Sequence, residues 1–93
     1  MQIGTRVGAI SHANNDTVWL YGYGRYMGEE IPPMEVRLFG STLKAPNPKI
    51  MLDDGKTVWG CECWWGEEDM VRNSINERGI EMVDIEEDRR KYP

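Results

Sequence analysis

The chain has 93 residues, enough for one domain with a single core, because only about two thirds of the surface of an unfolded chain this size can be buried on folding. Its 16 acidic residues outnumber 11 basic ones, and the net charge of -5 repels a phosphate backbone. No stretch approaches the roughly 18 apolar residues of a membrane-spanning helix. We therefore exclude double-stranded nucleic acid and membrane as partners and expect a cytoplasmic protein.

The first half of the chain predicts two strands. Residues 5–10 form the first, followed by a polar turn over 11–16. Residues 17–26 form the second, because β-branched and aromatic residues favour a strand and the glycines Gly22 and Gly24 disfavour a helix. The opening GTRVGAI, residues 4–10, resembles the first strand of many small SH3-like barrels.

The middle of the chain predicts three more strands. Pro32 and Pro33 make residues 27–33 a loop, and the alternating residues 34–39 form a half-buried strand. A second loop over 40–48 leads to strands 49–53 and 56–65. Between these two strands, Asp53-Asp54-Gly55 predicts a tight hairpin, since Gly can adopt the positive φ that such turns require.

The end of the chain predicts one helix and a last strand. The helix covers 67–78, with acidic residues in its first turn and Gly79 after its end, and the strand covers 80–85. We expect one globular domain over 1–86 and a charged tail over 87–93 that frays. The fold class is α+β, mostly β: a small SH3-like partly open barrel or a curled antiparallel sheet carrying one helix.

Strict alternation divides the strand 17–26 into two faces. One face carries three aromatic side chains and an arginine: Trp19, Tyr21, Tyr23 and Arg25. If the opposite, aliphatic face is the core, this face points outward and is typical of an interaction site. The alternative is that the aromatic side chains form the core and that the glycines allow the strand to bend.

The segment VWGCECWWG, residues 58–66, is apolar on both faces when read as one strand. Alternation then places Trp59, Cys61, Cys63 and Trp65 on a core face. Glu62 and Trp64 lie on the outer face, where a helix, a partner or a ligand can cover them.

The cysteines do not support a catalytic or metal site. A structural zinc site needs four ligands, whereas the chain offers two cysteines and one histidine, His12. A nucleophilic cysteine needs a neighbouring base, and His12 is far from both cysteines in the sequence. We expect core thiols and no cofactor, and an enzyme is the minority interpretation of this sequence.

The aromatic composition points to binding instead. With four Trp and four Tyr beside one Phe, the chain favours residues that have an apolar body and a polar tip. We predict a protein-interaction module or a small acidic inhibitor-type protein that binds a basic protein or a second copy of itself. Its predicted contact residues are Trp19, Tyr21, Tyr23, Arg25, Glu62 and Trp64.

The alternative function is binding or sequestering a small nucleotide-like or aromatic ligand. The predicted pocket has aromatic walls and glycines that provide its space. The wall residues are Trp59, Trp65 and Tyr26, and the glycines are Gly22, Gly24 and Gly60.

Overall fold

The structure is a computed structural model that describes residues 1–33, 37–38, 41–42 and 45–91. These residues form eight strands, one 3-10 turn and two helices. The strands are β1 (Arg6–Ala13), β2 (Thr17–Glu30), β3 (Arg37–Leu38), β4 (Ser41–Thr42), β5 (Asn47–Leu52), β6 (Thr57–Trp59), β7 (Trp64–Glu67) and β8 (Gly79–Met82). The turn covers Gly60–Glu62, and the helices are α1 (Glu68–Ile75) and α2 (Ile85–Lys91). Neither helix is long and apolar enough to cross a membrane.

Six of these strands form one unclosed sheet. Its order is β6-β5-β2-β1-β7, and β8 joins it by pairing with β2 in parallel, whereas the other pairs are antiparallel. β3 and β4 pair separately. The predicted α+β, mostly β class is confirmed, and so is the hairpin at Asp53-Asp54-Gly55: β5 pairs with β6, and Gly55 has a φ of 91°.

The two helices pack on opposite faces of the sheet. α1 covers a core of Val18, Leu20, Val71 and Ile75, with Ile10 and Tyr23 packed against it. α2 adds Ile85 to a second core that contains Val7, Ala9, Tyr21, Ile50, Leu52 and Val58. Ala9 and Ile10 are neighbours in β1 and so point to opposite faces, which assigns one core to each side of the sheet.

A β-bulge interrupts the alternation of β2. Ala9 pairs with Gly22, but the next residue, Ile10, pairs with Leu20, so Tyr21 has no residue opposite it in β1. Gly22 has a φ of 143°, in the region that glycine adopts without strain. The simple rule that every second side chain of β2 points to the same face therefore fails across the bulge.

Because of the bulge, the prediction that Trp19, Tyr21, Tyr23 and Arg25 share one face of the strand is wrong, whether that face is taken as outward or as core. Tyr21 is only 7% exposed and belongs to the core beneath α2, whereas Tyr23 packs against the core beneath α1. The physical reason is that one extra residue in a strand moves the following side chains to the other face.

The predicted single strand over 56–65 is also wrong, because the 3-10 turn divides it into β6 and β7. At this turn, backbone N–H groups bond to side chains instead of to a neighbouring strand. The Cys61 N–H donates to Asn47 Oδ1 at 2.7 Å, and the Trp59 N–H donates to Glu62 Oε1 at 3.0 Å. Trp59 and Val58 are both buried although they are adjacent. The proposed core face of Trp59, Cys61, Cys63 and Trp65 therefore does not exist as one strand face.

Several boundaries differ from the sequence expectation. β1 continues to Ala13, into the predicted turn 11–16, and α1 ends at Ile75 rather than at residue 78. β2 continues to Glu30, through the segment predicted to be a loop, and β8 ends at Met82. Residues 85–91, which include most of the predicted tail 87–93, form α2, and residues 92–93 lie outside the described residues. Of the predicted strand 34–39, residues 37–38 form β3, and residues 34–36 and 39 lie outside the described residues.

Candidate functional site

A row of apolar side chains crosses the sheet on the face that carries α1. Ile10 pairs with Trp64 on one side and with Leu20 on the other, and Leu20 pairs with Met82. Residues directly opposite each other on neighbouring strands lie on the same face. α1 covers the middle of the row and leaves its ends open: Trp64 is 77% exposed and Met82 is 66% exposed.

The first open end of this row is the Trp64–Met70 patch, where Trp64 of β7 lies beside α1. The patch surrounds a shallow hollow of about 230 Å³. Its lining residues are Ile10, Trp64, Trp65, Gly66, Met70, Val71 and Ser74. Met70 is exposed although it lies on a helix that packs against the sheet, so this patch offers an apolar surface to solvent.

The second open end is the β5–β8 groove. It lies where one edge of β2 stops pairing with β8 and begins to pair with β5. β8 pairs with Thr17–Leu20, and β5 pairs with β2 from Gly24 onward. The cavity between them measures about 350 Å³. Its lining residues are Leu20, Tyr21, Gly22, Tyr23, Leu52, Asp53, Asp54, Ile80 and Met82.

Two carboxylates form the only charged lining of the β5–β8 groove within the described chain. Asp53 is held by Arg6, whose Nη1 and Nη2 donate to its two oxygens at 2.6 and 2.8 Å. These bonds lower the pKa of Asp53. Asp54 accepts a hydrogen bond from the Lys56 N–H at 2.9 Å and makes no ion pair with any described residue. The nearby Lys56 ammonium, which acts on the charge of Asp54, is paired with Asp84. Asp54 therefore brings a negative charge without a direct ion pair to the groove.

Tyr23 connects the β5–β8 groove to α1. The guanidinium carbon of Arg72 lies 4.0 Å from the centre of the Tyr23 ring, within cation–π range. Arg72 is itself held by Glu68 at 2.9 Å, and Arg6 binds the same carboxylate. The Tyr23 hydroxyl is buried and has no hydrogen-bond partner among the described residues. The ring is thus fixed by packing and charge rather than by its polar tip.

The six predicted contact residues do not form one surface. Tyr21 and Tyr23 both line the β5–β8 groove, although from opposite faces of the bulged strand. Trp64 is exposed in the Trp64–Met70 patch. Trp19 is half-buried and stacks on His12, with ring centres 4.3 Å apart.

The two charged residues of that set have structural contacts. Arg25 is exposed and donates from Nη1 to the Gly4 carbonyl at 2.9 Å. The Glu62 side chain is only 10% exposed and accepts hydrogen bonds from Arg89 of α2 through both carboxylate oxygens, at 2.7 and 2.6 Å. Glu62 therefore anchors α2.

Several residues of the predicted ligand pocket pack against other parts of the chain. Trp65 stacks on Tyr26 with ring centres 5.7 Å apart. A Cβ at Gly24 would lie 2.0 Å from the Met51 carbonyl oxygen, so the space left by this glycine is filled by β5. Pro48 fills the space beside Gly60 in the same way. Gly22, by contrast, lines an open space, the β5–β8 groove.

The cysteines lie away from both apolar surfaces. Burial raises the pKa of Cys63 to about 12 and also raises that of Cys61, which makes both thiols weak nucleophiles at neutral pH. Within the described ranges, no three His, Cys, Asp or Glu side chains come together as a metal site would require.

Sequence reasoning missed three exposed apolar residues of this face: Met70, Ile80 and Met82. A signal existed for two of them, because Ile80 and Met82 share one face of the predicted strand 80–85. Which residues α1 covers could not be read from the sequence, because this depends on where the helix crosses the sheet.

Comparisons with protein-family models, curated protein sequences and solved structures find no match to this chain.

Proposed function

We propose that the chain is a non-enzymatic protein-interaction domain of the cytoplasm whose contact surface is the sheet face that carries α1. The observation that carries the proposal is the exposure of four large apolar side chains on and beside this helix: Trp64, Met70, Ile80 and Met82. Exposed apolar groups at neighbouring positions typically mark a surface that a partner covers.

The composition of this surface supports a protein partner. Tryptophan and methionine are enriched in protein interfaces, because both bury much apolar area and methionine adapts its shape to the partner. The net charge of -5 favours a partner with positive charge, since opposite charges speed the encounter of two proteins. A small acidic inhibitor of a basic protein is one form of this function.

A comparison of two double variants tests the proposal. Trp64→Ser/Met82→Ser removes apolar area from both ends of the row, whereas Ile3→Ser/Ile31→Ser removes exposed apolar area elsewhere. Each protein is immobilised, and the proteins that it retains from a lysate of the source cells are measured by quantitative mass spectrometry.

We expect a protein retained by the wild type and by the Ile3/Ile31 variant to be lost from the Trp64/Met82 variant. Equal unfolding midpoints in urea would show that the variants are folded. Equal retention by all three proteins, or retention of nothing above background, would contradict the proposed surface.

The size of the β5–β8 groove favours a second candidate, a small-ligand binding protein. Its volume of about 350 Å³ lies within the range of ligand pockets. Asp53 and Asp54 at its rim disfavour an anionic nucleotide and favour a neutral or cationic ligand. Native mass spectrometry of the protein purified from its source cells tests this candidate. The wild type should carry an additional mass from a bound ligand, and the Met82→Glu variant should not.

A further inference from the structure

We infer that the β5–β8 groove receives an apolar side chain of a protein partner that is followed or preceded by a lysine or arginine. The inference rests on the proposed function and names the chemistry of the partner at one part of the proposed surface. It combines two properties of the groove, its apolar lining and the charge at its rim.

The apolar side chain of the proposed partner is inferred from the shape of the groove where β2, β5 and β8 meet. At the bulge, Gly22 has no side chain, and the nearest atom to its Cβ position is Leu52 Cδ2 at 3.7 Å. The groove is therefore open above the backbone of β2. Ile80 and Met82 form its outer wall and are 51% and 66% exposed. An inserted aliphatic or aromatic side chain would cover both and remove their apolar surface from water.

The charged part follows from Asp54. The carboxylate of Asp53 is already matched by the Arg6 guanidinium. Within the described residues, that of Asp54 accepts one backbone hydrogen bond and is otherwise influenced only at longer range by the Lys56 ammonium, which pairs with Asp84. A partner that covered the groove with apolar groups alone would take water from Asp54 without replacing it, which is unfavourable. An ammonium or guanidinium group next to the inserted side chain would give Asp54 a direct ion pair and replace the water that it loses.

A partner with acidic residues at this position is disfavoured. Its carboxylates would lie beside Asp54, in the field of a chain whose net charge is -5. Repulsion between like charges at an interface lowers both affinity and association rate. The basic, apolar segment is therefore the one that satisfies the groove and its rim together.

Methionine methyl NMR can observe the groove and the patch separately. Met82 lies in the β5–β8 groove, and Met70 lies in the Trp64–Met70 patch. Protein labelled with ¹³C at the methionine methyl groups is titrated with two blocked peptides, acetyl-Leu-Lys-Leu-Lys-amide and acetyl-Leu-Glu-Leu-Glu-amide, up to millimolar concentration. The matched variants are Asp54→Asn and Asp69→Asn. Asparagine keeps the Oδ1 acceptor that the Lys56 N–H uses, so the hairpin turn is preserved.

We expect the lysine peptide to shift the Met82 methyl signal in a saturable way and the glutamate peptide to leave it unchanged. Asp54→Asn should weaken the lysine peptide about threefold, the effect of losing one partly exposed charge pair. Asp69→Asn should leave its affinity unchanged.

Three outcomes would overturn the inference: no saturable shift at Met82, equal shifts with both peptides, or equal affinity of the wild type and Asp54→Asn. A shift at Met70 alone would reject the groove but keep the proposed interaction surface. Loss of lysate partners from the Trp64→Ser/Met82→Ser variant remains the separate test of that surface.

Discussion

The Tyr21 hydroxyl donates a 2.8 Å hydrogen bond to the Asp88 carboxylate and so joins the bulge of β2 to α2. Two residues along the same strand, the Tyr23 hydroxyl is buried without a partner among the described residues. The two tyrosines therefore have the same side chain in opposite hydrogen-bonding situations.

Removing each hydroxyl should have opposite effects on stability. Tyr21→Phe should lower the free energy of unfolding by about 1.5 kcal/mol, because a hydrogen bond to a charged group is lost. Tyr23→Phe should leave it unchanged or raise it by up to about 1 kcal/mol, because no bond is lost and a buried polar group is removed. Urea unfolding followed by tryptophan fluorescence measures both changes. Equal losses in the two variants would mean that Tyr23 has a partner in solution.

The anchoring of α2 can be tested at Arg89. Its guanidinium donates to both oxygens of Glu62 and to the Thr57 carbonyl, and it has 27% of its side chain exposed. Arg89→Ala would leave the Glu62 carboxylate largely buried without its cation. We expect a loss of about 3 kcal/mol in the free energy of unfolding. The neighbouring variant Arg90→Ala, at an exposed position, should cost less than about 0.5 kcal/mol. Similar losses would argue against the Glu62–Arg89 anchor.

Two glycines of the sheet provide a matched pair for packing. A Cβ at Gly24 would lie 2.0 Å from the Met51 carbonyl oxygen and 2.7 Å from Leu52 Cα, and neither backbone atom can move away cheaply. A Cβ at Gly66 has no atom within 4 Å. Gly24→Ala should therefore unfold the protein or separate β5 from β2, whereas Gly66→Ala should retain the wild-type circular dichroism spectrum and melting temperature. A folded Gly24→Ala protein would contradict the close approach of β2 and β5.

Cys63 should make stability fall at alkaline pH. Its pKa is raised by burial to about 12 in the folded state, against about 8.5 in an unfolded chain. Its stabilising contribution is complete below pH 8.5 and is lost as the pH rises toward 12. At pH 9.5 we expect ionisation of this thiol in the unfolded chain to lower the free energy of unfolding of the wild type by about 1 kcal/mol relative to pH 7. In urea unfolding at both pH values, the Cys63→Ala variant should not show this decrease in the free energy of unfolding. An identical pH dependence in the two proteins would count against the buried thiol.

Arg6 should make stability sensitive to acid. Its guanidinium binds Asp53 and Glu68 and thereby lowers the pKa of both carboxyl groups, although Arg72 is the larger influence on Glu68. Groups with a lowered pKa stabilise the fold above their unfolded pKa of about 4, and this contribution is lost as the pH falls through their folded values. Arg6→Gln should have a lower urea midpoint than the wild type at pH 7, and the difference between the two midpoints should be smaller at pH 3. A constant difference between pH 7 and pH 3 would mean that Arg6 acts through packing alone.

Local chemistry made several elements predictable. The strands of the first half, the Asp53-Asp54-Gly55 hairpin and α1 follow from residue preferences that act over a few positions. The mostly β class follows from these elements. Trp64 is exposed, but its outer position was inferred from alternation along a single strand over 56–65, and the 3-10 turn divides that strand.

The features that could not be predicted depend on residues distant in sequence. Alternation of apolar residues predicts faces only while a strand is regular, and the bulge at Tyr21 shows itself only through its pairing with β1. α2 has one buried apolar residue, Ile85, and the Glu62–Arg89 ion pair that holds it spans 27 positions. The β5–β8 groove exists because two strands meet the same edge of β2, which no local pattern indicates.

The bulge in β2 also has a consequence for the unfolding reaction. Because one strand supplies Leu20 to the core beneath α1 and Tyr21 to the core beneath α2, neither core can open without removing a wall of the other. Such sharing couples the two halves of a small domain into a single all-or-none transition. The temperature at which the α1 layer melts should therefore also be the temperature at which the α2 layer melts.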